Sequence, residues 1–292
     1  MTLQVGMDAV KTKGYLATYR FLVLRRISQL LVLALFIASP VAGYWLLKGN
    51  LSSSLMVETV PMTDPFVFLQ SLATGHLPIT SMLLGTAIIA GFYWLVGGRT
   101  FCSWVCPVNP VTDLAGWASR RLGIRRRIPL SRHLRYWILV LMLILPALTG
   151  MVVWELVNPV SLLHRGLIFG MGMGWLVIVA IFLFDLFVIP RGWCGHLCPM
   201  GACYSLIGKT SPLRVKASKR DDCYDCMDCY AVCPEPQVIK PALKGKVAGS
   251  EQLHGPVILS PNCTNCGRCI DICSVNVFEF GSRFANRMEK HP

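Results

Sequence analysis

The chain has 292 residues, of which 54% are hydrophobic and only 15% charged, and its formal net charge is +13. Soluble globular domains carry about a quarter charged residues, so this composition excludes disordered and collagen-like chains and indicates a lipid environment. The positive charge does not indicate a nucleic-acid partner, because Lys and Arg concentrate in residues 1–26, 99–135 and 191–292, with nearly neutral stretches between them.

Four stretches without charged side chains follow the N-terminal segment, at residues 27–47, 77–98, 136–154 and 166–184. At 1.5 Å per residue each stretch is long enough to cross a hydrocarbon core of about 30 Å. We therefore expect four transmembrane helices rather than buried helices of a soluble protein. The positive-inside rule places both termini in the cytoplasm. A twin-arginine export signal at Arg25-Arg26 is the alternative, but the apolar stretch that follows is long for a signal peptide.

An internal repeat relates the two halves of this predicted membrane domain, at an offset of 92 to 94 residues. We expect each half to contain a helix N-cap followed by proline at the first helical position. A duplicated helical hairpin follows from this repeat. The matching elements are Asp64-Pro65 with Asn158-Pro159, and Arg99-x2-Cys102-x3-Cys106-Pro107 with Arg191-x2-Cys194-x3-Cys198-Pro199.

Eight of the 13 cysteines form two runs with the spacing of bacterial two-cluster ferredoxins, in which each [4Fe-4S] cluster takes three thiolates from one run and the fourth from the other. Ser274 stands where the first run has Pro234. Zinc is disfavoured because four cysteines within 11 residues do not match the spacing of zinc motifs. The predicted ligands are Cys223, Cys226, Cys229 and Cys273 for the first cluster, and Cys263, Cys266, Cys269 and Cys233 for the second.

The two Cys-x3-Cys-Pro segments repeat the last step of a ferredoxin run. Cys102, Cys106, Cys194 and Cys198 together therefore form a candidate third site for a cluster or another metal. The alternative is that these small side chains only pack at helix ends. Cys203 has no partner in either pattern, and we expect it in the core.

Quinol is the electron donor that this combination of iron–sulfur clusters and a membrane domain favours. No Cys-x2-Cys-His motif occurs in the sequence, which excludes covalent c-type haem. No nucleotide-binding glycine motif occurs either, so the electron partner should be a molecule that needs no phosphate-binding loop. Quinol oxidation releases protons, so we name Asp185 and His76 as candidate catalytic residues. The alternative for Asp185 is a salt bridge to Arg191 or Arg99. Glu58, Asp64, His76, Glu155, Asn158 and His164 are candidates for a second pocket, and the alternative is that most of them are helix caps and solvated groups.

Several short motifs together are more specific than either cysteine run alone. They are LRR at 24–26, NLSSSL at 50–55, VPMTDP at 60–65, GHLP at 75–78, FCSWVCP at 101–107, NPVSL at 158–162 and GWCGHLCP at 192–199, followed by the two cysteine runs. With these motifs the sequence resembles the NapH-type ferredoxin subunits of the periplasmic nitrate reductase system. The resemblance implies a multi-pass quinol dehydrogenase component of the bacterial inner membrane, acting within a complex. It also implies a periplasmic NapG-type iron–sulfur partner and c-type cytochromes that carry electrons to nitrate reductase.

The predicted fold is an α-helical membrane protein with a small α+β ferredoxin domain. We place a cytoplasmic segment at residues 1–26, a four-helix membrane domain at 27–210 and a cytoplasmic two-cluster ferredoxin domain at 211–292. The alternative function is a membrane ferredoxin acting in metal reduction or cytochrome oxidase maturation. A redox sensor is disfavoured because the segment between the first two apolar stretches is too short for a sensory domain.

Overall fold

The computed structural model describes residues 5–42, 46–75, 79–124, 128, 130–170, 172–245 and 255–284, with backbone alone at 39–42. The chain forms two compact units. The cysteine-run unit comprises Met1–Ile27, Tyr93–Trp104 and Ser205–Pro292, and the helical unit comprises Ser28–Phe92 and Val105–Tyr204. The domain boundaries predicted at residues 27 and 211 stay predictions, and the cysteine-run unit includes Tyr93–Trp104 together with the C-terminal residues.

Short elements form the C-terminal part of the cysteine-run unit. Strand Leu213–Ala217 pairs antiparallel with Phe278–Ser282, with Leu213 opposite Ser282 and Ala217 opposite Phe278. Val215, Ile239, Ile258 and Ile272 lie in the core, together with cysteines of both runs. This α+β arrangement is the predicted ferredoxin domain. Its helical segments are Arg220–Asp222, Asp228–Val232, Pro236–Val238, Ile239–Lys244 and Arg268–Ile272.

A small sheet that the sequence patterns did not predict lies between helices Arg20–Ala42 and Pro65–Ala73 along the chain. Strands Leu47–Gly49, Ser53–Met56 and Val60–Thr63 pair antiparallel in that order. The helices are Met7–Lys13, Tyr15–Thr18, Arg20–Ala42, Pro65–Ala73, Thr80–Val96, Thr100–Trp104, Val108–Arg121, Leu134–Thr149, Val153–Val157, Pro159–Phe169, Gly174–Phe187, the π-helix Trp193–Leu197, Pro199–Ile207 and the 3-10 turn Gly208–Thr210.

The prediction of four transmembrane helices forming a duplicated hairpin is wrong. Among the described helices, only Arg20–Ala42 contains a segment, Arg20–Ala38, that is long and apolar enough to cross a membrane. The other apolar helices are Thr80–Val96, Leu134–Thr149 and Gly174–Phe187, with 17, 16 and 14 residues. At 1.5 Å per residue they extend roughly 21 to 26 Å, less than a hydrocarbon core of about 30 Å.

Glycines in the left-handed region explain why these helices are shorter than the apolar stretches. Gly97 has φ 104°, Gly150 has φ 68° and Gly170 has φ 92°. The first two follow the ends of Thr80–Val96 and Leu134–Thr149, and Gly170 lies inside the stretch predicted at 166–184. A left-handed residue ends an α-helix, so hydrophobic length overestimated helix length.

The two predicted N-caps are confirmed. Asp64 accepts hydrogen bonds from the N–H groups of Phe66 (2.8 Å) and Val67 (3.2 Å) at the start of helix Pro65–Ala73. Asn158 accepts one from the N–H of Val160 (3.1 Å) at the start of helix Pro159–Phe169. The cysteine segments of the repeat have diverged, since Thr100–Trp104 is an α-helix and Trp193–Leu197 is a π-helix.

Candidate functional site

Two cavities in the cysteine-run unit are each lined by four cysteines. Three cysteines in each cavity come from one run and the fourth comes from the other run. The structure thus brings together the two sets of residues that the spacing assigned to two clusters. The first cavity is lined by Cys223, Cys226, Cys229 and Cys273. The second is lined by Cys233, Cys263, Cys266 and Cys269.

Left-handed residues at equivalent positions turn both loops around their cavities. In the first loop Asp225 and Met227 each have φ 63°, and in the second Asn265 has φ 45° and Gly267 has φ 71°. Asp, Asn and Gly tolerate this conformation, whereas Met does so only at a cost. The third cysteine of each run then lies in the short helix that follows, Asp228–Val232 or Arg268–Ile272. This backbone explains why the two-residue spacing suits a compact cluster.

The donor set in each cavity fits a [4Fe-4S] cluster. Burial, reinforced by neighbouring thiols, raises the pKa of Cys229 to about 12. Burial also raises the pKa of Cys263 to about 11 and that of Cys269 well above its ordinary value. Closely spaced thiols, some of them buried, therefore ionise together only beside a compensating positive charge, which the irons of a cluster supply. The Val277 N–H donates to the Cys273 sulfur at 3.3 Å, a contact typical of cluster sites.

The two cavities differ in their access to solvent. At the first, Cys226 is exposed, and its neighbours Tyr224 and Met227 are 52% and 59% exposed. At the second, Cys266 and Cys269 are only 7% and 8% exposed. A molecule in solution can therefore come closer to the first cavity than to the second.

The second loop is covered by residues that precede it by more than 150 positions. The Ser103 hydroxyl donates to the Thr264 carbonyl at 2.8 Å, and the Trp104 indole N–H donates to the Asn265 carbonyl at 3.1 Å. The side chain of Phe21 lies so close to Gly267 that a Cβ there would be 2.5 Å from the ring. No sequence motif indicated these contacts, because they join segments that are distant along the chain.

A buried ion pair also lies beside the second loop. Arg99 and Glu235 are 2% and 1% exposed, and their side chains meet at 2.6 Å. Arg99 also donates to the Asn262 carbonyl at 3.0 Å. Arg191 pairs instead with Asp113 at 3.1 Å. These partners do not support the alternative in which either arginine pairs with Asp185.

Asp185 is a buried carboxyl group in the helical unit. One of its oxygens accepts a hydrogen bond from the Trp193 N–H at 2.9 Å, and the other has no hydrogen-bond partner among the described residues. Burial raises the pKa of Asp185 to about 7, although the Trp193 N–H and the charge of Arg191 oppose the shift. The group therefore exchanges a proton near neutral pH. The other predicted catalytic residue, His76, lies outside the described residues.

The Cys-x3-Cys-Pro cysteines do not share one compact unit. Cys102 belongs to the cysteine-run unit, whereas Cys106, Cys194 and Cys198 belong to the helical unit. The Cys198 sulfur accepts a hydrogen bond from the Gly201 N–H at 3.4 Å. Among the described residues, no group of three or more His, Cys, Asp or Glu side chains is placed to bind a single metal ion, and the two four-cysteine cavities are lined for a larger cluster of several irons. The third site therefore stays a prediction.

Three of the residues predicted around a second pocket, Asp64, Glu155 and Asn158, make side-chain hydrogen bonds in the helical unit. The Ser52 hydroxyl donates to Glu155 at 2.5 Å, and the Asn158 amide donates to Glu155 and Ser161 at 3.1 and 3.0 Å. The Tyr204 hydroxyl donates to Asp64 at 2.7 Å. Capping and hydrogen bonding therefore account for several of these groups.

Three other residues complete the account of the predicted positions. Cys203 is 5% exposed, which confirms that it lies in the core. His164 is buried and packs edge-on against the Phe36 ring, with ring centres 4.9 Å apart. Glu58 lies in the exposed turn between the second and third strands.

Family models match most of the chain. The model described as a 4Fe-4S dicluster domain matches residues 215–274, and that described as a 4Fe-4S binding domain matches 78–125 and 171–220. The paired matches confirm the internal repeat in the sequence, and they contain the two Cys-x3-Cys-Pro segments. No solved structure matches the chain.

Several curated proteins are similar over nearly their whole length. The ferredoxin-type protein NapH of Escherichia coli is 49% identical, and that of Haemophilus influenzae is 50% identical, with 96% of each chain covered in both comparisons. The methylamine utilization ferredoxin-type protein MauN of Methylorubrum extorquens is 52% identical, with 94% of each chain covered. The predicted resemblance is thus confirmed. The chain belongs to the family of ferredoxin-type proteins that includes NapH and MauN, and it is an iron–sulfur electron-transfer protein with two [4Fe-4S] clusters.

Proposed function

We propose that this protein takes electrons from quinol and passes them to a periplasmic NapG-type iron–sulfur protein, from which c-type cytochromes carry them to nitrate reductase. The observation that carries the proposal is the pair of four-cysteine cavities in a chain about half identical to NapH over 96% of its length. The eight cysteines of the two runs are the proposed ligands. Bound clusters supply one-electron acceptors, which suits the stepwise oxidation of a two-electron donor.

Asp185 is the proposed acceptor of a quinol proton. Its unpartnered oxygen has a free lone pair in a buried setting, and its pKa of about 7 keeps a large fraction ionised at neutral pH. A general base is most effective when its pKa lies near the working pH. His76 is the proposed second acceptor from its place in the sequence pattern alone.

The test measures reduction of the clusters by a quinol analogue across pH 5 to 9. We expect the rate to rise as Asp185 ionises and to level off above about pH 7. Asp185→Asn abolishes this rise and lowers the rate by roughly 10²-fold or more, within the usual range for loss of a general base. Glu58→Gln is the control, because Glu58 is exposed in the same helical unit as Asp185. A wild-type pH profile in Asp185→Asn contradicts the proposed role.

We propose further that the protein associates with the bacterial inner membrane, with both termini on the cytoplasmic side, an orientation that requires that helix Arg20–Ala42 does not cross the membrane as a single span. Helix Arg20–Ala42 is the support for membrane association, since Ile27, Leu30 and Leu31 on it are more than half exposed. Large exposed apolar faces are unusual on proteins surrounded by water. Tags at the two termini should react only in inside-out vesicles, and labelling in intact spheroplasts contradicts this orientation.

The Cys-x3-Cys-Pro cysteines are proposed as a further metal or cluster site on the strength of the repeat and the two matches to a 4Fe-4S binding domain. Protein purified without oxygen should contain about 12 iron atoms if this site holds a cluster, and about eight if it does not. Cys102→Ala combined with Cys194→Ala should then remove about four irons. Unchanged iron content in that variant contradicts the proposal.

A second candidate function is electron transfer in methylamine oxidation, favoured by the 52% identity to MauN. Expression of the chain in strains that lack either NapH or MauN separates the two. Restored nitrate respiration in the first strain alone supports the primary proposal. Restored growth on methylamine alone replaces it.

A further inference from the structure

Arg214 is a buried cation beside the second cavity. It lies in strand Leu213–Ala217 and is only 1% exposed. Its guanidinium donates to the carbonyl oxygens of Ser211 (3.4 Å), Ser260 (3.1 Å) and Gly208. All three acceptors are neutral. A buried charge needs an opposite charge to offset its loss of hydration, and carbonyl dipoles offset it only in part.

The second cluster site supplies the missing negative charge. Ser260, which accepts from Arg214, precedes Cys263 by three residues, and the adjacent Val215 lines the second cavity. The guanidinium of Arg214 also lies within electrostatic range of the Cys263 side chain. Arg99 shares its charge with Glu235, whereas all hydrogen bonds that the described part of the chain provides for Arg214 go to carbonyl groups.

The first loop has the opposite electrostatic character. Aspartates in it occupy positions where the second loop has neutral or basic residues. The aligned pairs are Asp221 with Pro261, Asp222 with Asn262, Asp225 with Asn265, and Asp228 with Arg268. The cations near the first cavity share their charge with carboxylates, because Lys244 pairs with Asp225 and Lys13 interacts with Asp271 as well as Cys273.

We propose that Arg214 is the counter-ion of the cluster at the second cavity and gives that cluster the higher reduction potential of the two. An electron that reaches the first cluster therefore passes to the second. The first cluster is reoxidised as the second is reduced by one electron, and no proton moves. This inference rests on the cluster assignment in the proposed function, and it holds for either candidate donor.

The physical reason is the charge that reduction adds. A cluster gains one negative charge when it is reduced, so a nearby cation stabilises the reduced form and nearby carboxylates destabilise it. Burial alone disfavours the added charge, so by itself it would give the second cluster a lower reduction potential than the first. Arg214 reverses this order of the two potentials, because its interaction with the cluster is screened little by water at this depth.

The experiment is an EPR-monitored redox titration of the full chain, purified without oxygen. Cys226→Ala, which removes a ligand of the first cluster, identifies the two signals. We expect the second cluster to be reduced at the higher potential in the unaltered protein. Arg214→Met should lower the potential of the second cluster alone, and Arg214→Lys should restore most of the shift. Asp222→Asn, an exposed change, should raise the potential of the first cluster.

Lys216→Met is the matched control on the same strand. Lys216 pairs with Glu279 at 3.0 Å, so its loss should move neither potential by as much as Arg214→Met. If the first cluster has the higher reduction potential in the unaltered protein, the inference is overturned. This outcome does not depend on whether Arg214→Met folds. Equal shifts in Arg214→Met and Lys216→Met overturn it as well. An iron content well below about eight shows instead that the cluster assignment has failed.

Discussion

The two cysteine loops follow the same backbone path in different surroundings. Both have left-handed residues two and four positions after the first cysteine. The first loop is exposed at Cys226 and Met227, whereas Phe21, Ser103 and Trp104 cover the second. Local sequence therefore sets the shape of each cluster loop, while distant segments set its burial. A loop that can be reached from solvent suits exchange with a partner, and a buried loop suits transfer within the molecule.

Loss of single cysteines should produce the largest effect and the clearest difference between the loops. Cys226→Ala removes an exposed ligand, and we expect the protein to lose about four irons with the fold retained. Cys269→Ala removes a ligand buried in the core, so it should also lower the thermal stability of the unit. Iron analysis and circular dichroism measure both. Full iron content in Cys226→Ala contradicts the assignment.

Removal of one partner from each ion pair compares the two surroundings directly. Arg99→Leu leaves Glu235 buried without its cation and should destabilise the protein by about 3–5 kcal/mol. Lys244→Ala breaks the exposed pair with Asp225 and should cost much less, because water screens an exposed ion pair. Denaturant unfolding of both variants measures the difference. Equal losses would show that the second loop is no better shielded from water than the first.

Gly267→Ala tests the cover over the second loop. The new methyl group meets the Phe21 ring at 2.5 Å in a left-handed backbone. We expect the free energy of unfolding to fall by about 1–2 kcal/mol because of the left-handed backbone and by about 1–3 kcal/mol because of overpacking. Phe21→Ala in the same chain should relieve the overpacking part, which a double-mutant cycle measures. Additive losses in the cycle contradict the contact.

Met227→Gly should have the smallest effect and the opposite sign. Met227 occupies the position equivalent to Gly267, with φ 63° and an exposed side chain. Glycine relieves about 1–2 kcal/mol of left-handed strain but loses about 0.5–1 kcal/mol to the entropy of the unfolded chain. A net gain below about 1 kcal/mol should appear as a slightly higher unfolding midpoint. A clear loss would show that the Met227 side chain stabilises the first loop.

Cysteine spacing predicted the ferredoxin part because its information is local. Four cysteines within 11 residues define a loop and a short helix whatever the rest of the chain does. The Asp-Pro and Asn-Pro pairs predicted helix N-caps for the same reason, since a cap bonds to N–H groups two or three residues away. Hydropathy predicted helix length less reliably, because it counts apolar residues and does not register the glycines at which the helices end.

Sequence alone thus determined the two clusters, the repeat and the caps, all of which depend on spacings of a few residues or on similarity between segments. Only the tertiary structure decided which loop is buried, that Arg99 pairs with Glu235, and that Asp185 has an unpartnered oxygen. Those properties arise when residues far apart in sequence pack together. Charge pairing and burial depend on distances in space, and the order of residues along the chain does not specify those distances.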